Sequence, residues 1–246
     1  MPIYRADLHI HTVLSPCGDL GMSPVNIVTD ARNKNLNILG ITDHNSTLHC
    51  GLIKKLASEH GIMVLQGAEV TTKEEIHCLT FFETSETLSA FQQYLEDHLP
   101  HYPNDPDKFG YQVVVDSEEE IIQTIEWLLI SAIDQTLDEV EATVHKLGGL
   151  FIPAHIDKPC NSLISQLGFI PPALKADGFE LSAHARPDSL QFLLNGHKHV
   201  SLLRNSDAHY LEQIGTGTTD FDIEELSFSE IRMALRNESN RRTFIA

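Results

Sequence analysis

Residues 4–12 read Tyr4-Arg5-Ala6-Asp7-Leu8-His9-Ile10-His11-Thr12. The run Tyr4 to Ile10 is short and apolar enough to be a β-strand, and the alternation of side chains along a strand puts His9 and His11 on one face. Two imidazoles on one face make a metal-binding pair. Outward from this segment, six more short apolar runs rich in β-branched residues recur at Asn37 to Thr42, Met63 to Glu69, Ile76 to Phe82, Gly149 to Ala154, Gly178 to Ser182 and Val200 to Asn205. Segments of helical character lie between them, the pattern of an α/β fold with a mainly parallel sheet.

The helices have recognisable signals. Ser23-Pro24 offers an N-cap serine followed by a first-turn proline and opens an amphipathic run to about Asn33. Further helices are expected over Leu48 to His60, Asp188 to Leu194 and Ile223 to Arg236. Residues 84–146 contain no convincing strand, and Leu88, Phe91, Tyr94 and Leu95 fall at helical spacing, so this segment reads as a helical insertion. Its middle, residues 98–112, carries Pro100, Pro103 and Pro106 and is expected to be a loop. No repeat or linker divides the chain, and 1–246 is expected to be a single domain.

Bulk composition narrows the partners. With 246 residues and 41% hydrophobic content, the chain can bury one substantial core, and no apolar run approaches the roughly 20 residues that cross a bilayer. The start lacks the basic-then-apolar layout of a signal peptide, so a cytoplasmic location without membrane association is expected. Cysteines at 17, 50, 78 and 160 show no CxxC pairing and are expected to be reduced thiols. The net charge of −18 would repel a long phosphate backbone, which favours a small phosphorylated substrate and makes long nucleic acid an unfavoured partner. Oligomeric state is not legible.

The 14 histidines are informative by position. His9 and His11 end the first strand, Asp43-His44 the second, Glu69 the third; His77 sits on the fourth, His155 ends the fifth and Asp207-Ala208-His209 closes the last. The carboxyl ends of strands are where α/β barrels place their chemistry. One such histidine is ordinarily just a hydrogen-bonded or exposed residue. Five strand ends with histidine and acidic neighbours would bury uncompensated polar groups unless these were paired or bound cations. An imidazole and carboxylate set suits manganese, iron or zinc and argues against calcium.

Together, Asp7-Leu8-His9-Ile10-His11-Thr12, Thr42-Asp43-His44, Gly67-Ala68-Glu69-Val70, His77, Ala154-His155 and Ser206-Asp207-Ala208-His209 resemble the motifs of the polymerase and histidinol phosphatase (PHP) superfamily of metal-dependent phosphoesterases, in family order. The resemblance implies a distorted seven-stranded (β/α)7 barrel of PHP type, with two to three divalent transition metals at the strand carboxyl ends. By position, His9, His11, Glu69 and Asp207 would hold one metal, Glu69 would bridge to a second held by His77 and His155, and a third would use His44, His209 and a group from the loop after the first strand. The resemblance favours Asp19 for that group, five residues before Pro24, with Cys17 as competitor. Asp7 and Asp43 suit hydrogen bonds that orient ligating histidines.

Such a site implies a metal-dependent phosphoric ester hydrolase that attacks with metal-activated hydroxide. Asp207, His209 and His184 are the catalytic candidates, with His209, His184 or bound water protonating the leaving group. Lys158 and Arg186 are candidates for binding the substrate phosphate, and Arg204 is a weaker one. The insertion is a candidate cover for the barrel mouth, with Phe109, Tyr111 and Trp127 available for stacking or for packing their own small core. The competing readings are a nuclease acting on nucleic-acid ends and a non-catalytic metal-binding regulatory module. Amide or lactone hydrolysis is a further enzymatic alternative.

Overall fold

The computed structural model describes residues 1–183, 185, 196–197 and 200–245. The chain order is β1 (Ile3–Ile10), α1 (Pro24–Asn33), β2 (Ile38–Ile41), α2 (Cys50–Ser58), β3 (Met63–Thr71), β4 (His77–Phe82), α3 (Ser85–His98), α4 (Pro106–Phe109), β5 (Val113–Val115), β6 (Ile121–Thr124), α5 (Leu137–Lys146), β7 (Leu150–Pro153), α6 (Leu163–Leu167), β8 (Gly178–Leu181), β9 (Ser201–Arg204), β10 (Thr219–Asp222), α7 (Phe228–Leu235) and β11 (Arg242–Ile245). Each of the seven sequence-expected strands has a counterpart. The expected helix at residues 188–194 falls outside the described residues.

The largest sheet runs β11-β10-β1-β2-β3-β4-β7, and β8 pairs in parallel with β9. Main-chain bonds join the two pieces: Asp177 N to Phe151 O at 2.8 Å and Ile156 N to Glu180 O at 2.9 Å on one side, His11 N to Ala208 O at 3.0 Å and Ala208 N to His9 O at 3.1 Å on the other. The strands thus curl into a distorted barrel of β1, β2, β3, β4, β7, β8 and β9. The strands β10 and β11, which the sequence reading did not anticipate, extend the sheet outside it.

Within the barrel, one strand runs against its neighbours. β4 pairs antiparallel with both β3 and β7, in the registers Thr71 with His77 and Glu69 with Leu79. Only a tight turn separates it from β3, closed by Thr72 N to Ile76 O at 2.9 Å with Glu75 at φ 61°. A parallel return would need a crossover of about a dozen residues or more. The reversal is what brings His77, at the amino end of β4, to the barrel end that carries the carboxyl termini of its neighbours.

The insertion differs from the helical expectation. α3 forms where Leu88, Phe91 and Leu95 predicted it, with Thr84 as N-cap accepting from Thr87 N. Val113–Val115 and Ile121–Thr124, however, make a β-hairpin around a turn at Asp116, whose Oδ1 accepts from Glu118 N and Glu120 N at 3.0 Å each. Three consecutive valines and the Ile121-Ile122 pair are β-branched, and a long helical window passes over such short runs. Apolar residues including Ile10, Ile27, Ile41, Ile53, Phe91 and Phe151 form one buried cluster, and Ala6, Leu8, Leu65, Phe81, Leu203 and Phe221 belong to a second that includes α7. No helix among the described residues is long and apolar enough to cross a membrane.

Candidate metal centre

At the end of β3, the buried carboxylate of Glu69 is ringed by imidazoles. His77 Nδ1 lies 3.0 Å from Oε1, His9 Nε2 and His155 Nε2 lie 3.2 Å from the same oxygen, and His44 Nδ1 and His11 Nε2 lie 3.2 and 3.4 Å from Oε2. Asp207 Oδ1 closes the other side, 3.2 Å from His9 Nε2 and 3.4 Å from His11 Nε2. Ligand atoms converge in three groups, each within 4.8 Å: His9, His11, Glu69 and Asp207; His44, Glu69 and His77; and His11, His44 and His209. The first is the set the PHP resemblance implied. In the second, His44 accompanies Glu69 and His77, while His155 reaches Glu69 without joining a group. In the third, His11 stands where a group from the loop after β1 was expected.

In their neutral form these rings turn their free nitrogens toward the ligand groups. His9 Nδ1 donates to Glu180 Oε1 and Oε2, both at 3.0 Å, so a neutral His9 carries its lone pair on Nε2. Ser15 Oγ donates to Asp43 Oδ1 at 2.7 Å, so it accepts from His11 Nδ1 at 3.0 Å, and His11 Nε2 is likewise a lone pair. These two Nε2 atoms face each other at 3.1 Å. Acceptors so placed repel unless a positive charge lies between them. The 3.0–3.4 Å spacings also match the separation of about 3.0–3.4 Å between neighbouring ligand atoms that each lie roughly 2.1 Å from one ion. His44 Nδ1 is buried without a hydrogen bond, although only 3.2 Å from Glu69. The donor set therefore fits divalent metal.

Electrostatics follow from this crowding. Burial alone would raise the Glu69 and Asp207 carboxyls, but the surrounding imidazoles hold both well below the usual carboxylate range. Burial would lower His9, yet Glu180, Glu69 and Asp207 raise it well above an ordinary histidine, so a proton on Nε2 competes with a metal ion for that lone pair. Burial dominates at His44, which is pushed far down, and burial with the nearby His11 takes His209 down to about 4. Asp7 is pushed up to about 6 by burial, opposed by its bonds from Ser206 and Gly215.

The PHP domain family model matches residues 7–156, and that for the PHP-associated region matches residues 203–240. The chain belongs to the PHP domain family. Among curated relatives, uncharacterized protein MJ1587 of Methanocaldococcus jannaschii is 40% identical over 79 residues, covering 28% of this PHP chain and 46% of that protein. Uncharacterized protein YqxK of Bacillus subtilis is 24% identical over 96% of this chain and 63% of its own length. The chain thus spans less than two thirds of either relative. Among solved structures, the lesion-specific endonuclease Q of Pyrococcus furiosus matches with a TM-score of 0.71 at 23% identity, over 98% of this chain and 58% of that one. A Bifidobacterium adolescentis chain, provisionally assigned as a metal-dependent phosphoesterase, gives a TM-score of 0.56 at 22% identity, over 83% of this chain and 87% of that one. At such identities these likenesses show the PHP fold alone.

In this PHP chain the remaining candidates fall into distinct places. Lys158 pairs with Asp207 and lines a cavity of about 140 Å³ together with His44, Glu69, His77, His155 and His209. Arg204, on β9, donates from Nη2 to Ala185 O at 3.0 Å. His184 and Arg186 lie outside the described residues. Asp19 is exposed and outside the ligand groups; its Oδ1 accepts from Gly21 N at 2.8 Å, while its main-chain N donates to His209 O at 2.9 Å. Cys17 is exposed and also outside those groups. Trp127 stacks on His101 at 4.6 Å in a second cavity of about 530 Å³ that Asn45 and Ser46 also line, next along the chain from His44. Phe109 and Tyr111 are exposed.

Glu180 was missed by the sequence reading. Besides His9, it accepts from His155 N at 2.8 Å and from Asn205 Nδ2 at 2.8 Å, fixing three strand ends around one carboxylate. Its only signal was an acid in the middle of the apolar segment Phe179-Glu180-Leu181. Residues in and beside the cluster also adopt positive φ: Asn45 at 45°, His155 at 27° and Asp207 at 54°. Backbone held in this region by its surroundings is common at functional sites.

Proposed function

We propose that this PHP chain hydrolyses a phosphate ester held over two to three divalent transition metals, of the manganese, iron or zinc type. The observation that carries the reading is the set of three ligand groups sharing Glu69, His11 and His44, with Lys158 on the rim of the same cavity. Divalent ions bound there supply Lewis acidity toward phosphate oxygens and bring the ionisation of water near neutrality. Glu69 bridges ligand groups through its two oxygens. Glu180, Ser15 and Asp43 hold the tautomers that turn lone pairs inward. Lys158, partnered by Asp207, presents its ammonium to the substrate phosphate. His209 donates Nδ1–H to Asp207 O at 2.9 Å and is neutral at pH 7, which suits a ligand better than a proton donor. The cavity beside His44, with its His101–Trp127 stack, receives the organic group of the ester.

A small ester fits the acidic surface, but the endonuclease Q likeness favours a second reading, cleavage of a nucleic-acid diester. One such structure holds a 27-mer duplex with an abasic lesion at the active site. The net charge by itself therefore does not exclude long nucleic acid. The test is a panel of phosphate mono- and diesters with manganese, iron and zinc. Hydrolysis should disappear with chelator, return with metal and be lost in Asp207→Ala. Turnover of carboxylic esters or amides with no phosphate ester cleaved would overturn the reading.

A further inference from the structure

His49 stands before α2 in the N-cap position, yet its side chain makes no capping bond; the ring is turned inward and buried. Its two nitrogens join parts of the chain that are far apart in sequence. Val115 N, in the insertion hairpin, donates to His49 Nε2 at 3.0 Å. A main-chain amide can only donate, so Nε2 is the acceptor and the ring proton sits on Nδ1. That proton is given to Thr12 Oγ1 at 2.6 Å. Thr12 Oγ1 in turn donates to Asp43 Oδ2 at 2.8 Å, while Asp43 Oδ1 takes Thr12 N and Ser15 Oγ, each at 2.7 Å. With its own proton spent on Asp43, Ser15 Oγ accepts from His11 Nδ1. The direction of every bond from Val115 to His11 is thereby set.

We propose that His49 is a positioning residue through which the insertion hairpin fixes the loop and ring state of His11. This rests on the reading of His11 as a metal ligand. If the Val115 bond is lost, His49 is free to carry its proton on Nε2. Its Nδ1 then competes for the Thr12 hydroxyl, and Asp43 loses one of the three donors that clamp Thr12 and Ser15. The insertion is thus built into the metal site at its base. A second fastening supports this. Asn45, the residue after His44, donates from Nδ2 to Leu129 O at 2.7 Å and Ser131 O at 2.8 Å, both in the insertion.

The test compares Val115→Pro, which removes the amide donor together with the valine side chain, with His49→Phe and with His49→Asn, whose amide keeps a donor for Thr12. Two quantities are read: the ring tautomers of His11 and His49 by 15N NMR of metal-free protein, and zinc affinity by competition with a chromophoric chelator. Wild type should show both rings protonated at Nδ1. Val115→Pro and His49→Phe should give mixed His11 tautomers and about tenfold weaker zinc binding, the low end for a group that orients a ligand; His49→Asn should recover much of the affinity. Folded His49 variants with wild-type tautomers and affinity would overturn the proposal, whether or not Val115→Pro folds. Altered His11 tautomers with unchanged affinity would sustain the relay and overturn the assignment of His11 as a ligand.

Discussion

Glu180 accepts four hydrogen bonds from three neighbours: His9 Nδ1 on each oxygen, His155 N and Asn205 Nδ2. A glutamine there keeps the shape but loses the charge that favours an Nδ1–H on His9, and it turns an amide N–H toward one of these donors. Glu180→Gln is therefore expected to weaken metal binding by about 10–100-fold while the protein stays folded, as chelator competition and circular dichroism would show. Unchanged affinity would remove Glu180 from the centre. The converging residues were legible because His9, His11, His44, His77, His155, Asp207 and His209 fall on or just after predicted strands. Glu180 was not, since an acid flanked by Phe179 and Leu181 carries no local mark of the histidine 171 positions away that it binds. Asp19 illustrates another limit: its spacing from Pro24 was suggestive but said nothing of the Gly21 amide that its Oδ1 accepts from.

At the scale of elements, strand positions were readable from β-branched runs, whereas strand direction was not. Nothing in Ile76 to Phe82 itself says that β4 runs backwards; the shortness of the link from Thr71 does. The hairpin of the insertion was hidden because three- and four-residue strands leave too short a pattern for periodicity to read. The antiparallel β3–β4 pair also explains Gly67. A Cβ there would lie 1.6 Å from Thr80 O, across the pair and two residues before Glu69. Gly67→Ala must push the strands apart, and overpacking of this kind costs about 3 kcal/mol or more. Urea denaturation should register that loss, and weaker metal binding should accompany it because Glu69 moves with its strand. A midpoint like that of the wild type would show that the close approach is not real.

For the whole molecule, two features pull the substrate in opposite directions. The chain carries 17 lysines and arginines against 35 acids, a balance that disfavours contact with a polyanion. Its fold is nonetheless that of a protein crystallised with duplex DNA, and it spans only 58% of that protein's length. Ionic strength separates these readings. A protein that neutralises many phosphates loses affinity steeply as salt rises, roughly 10³–10⁵-fold between about 50 and 200 mM for 6–10 contacts. A small ester held by buried ligands and Lys158 presents one or two phosphates inside a cavity where screening is weak. Metal-loaded protein is accordingly expected to cleave a small phosphate ester with kcat/KM changing by less than about threefold over that range. An abasic-site duplex, assayed in parallel, should be cut slowly or not at all. Efficient cutting of the duplex, falling by orders of magnitude with salt while small esters stay untouched, would instead assign the site to nucleic acid and place the phosphate contacts outside the cavity that Lys158 lines.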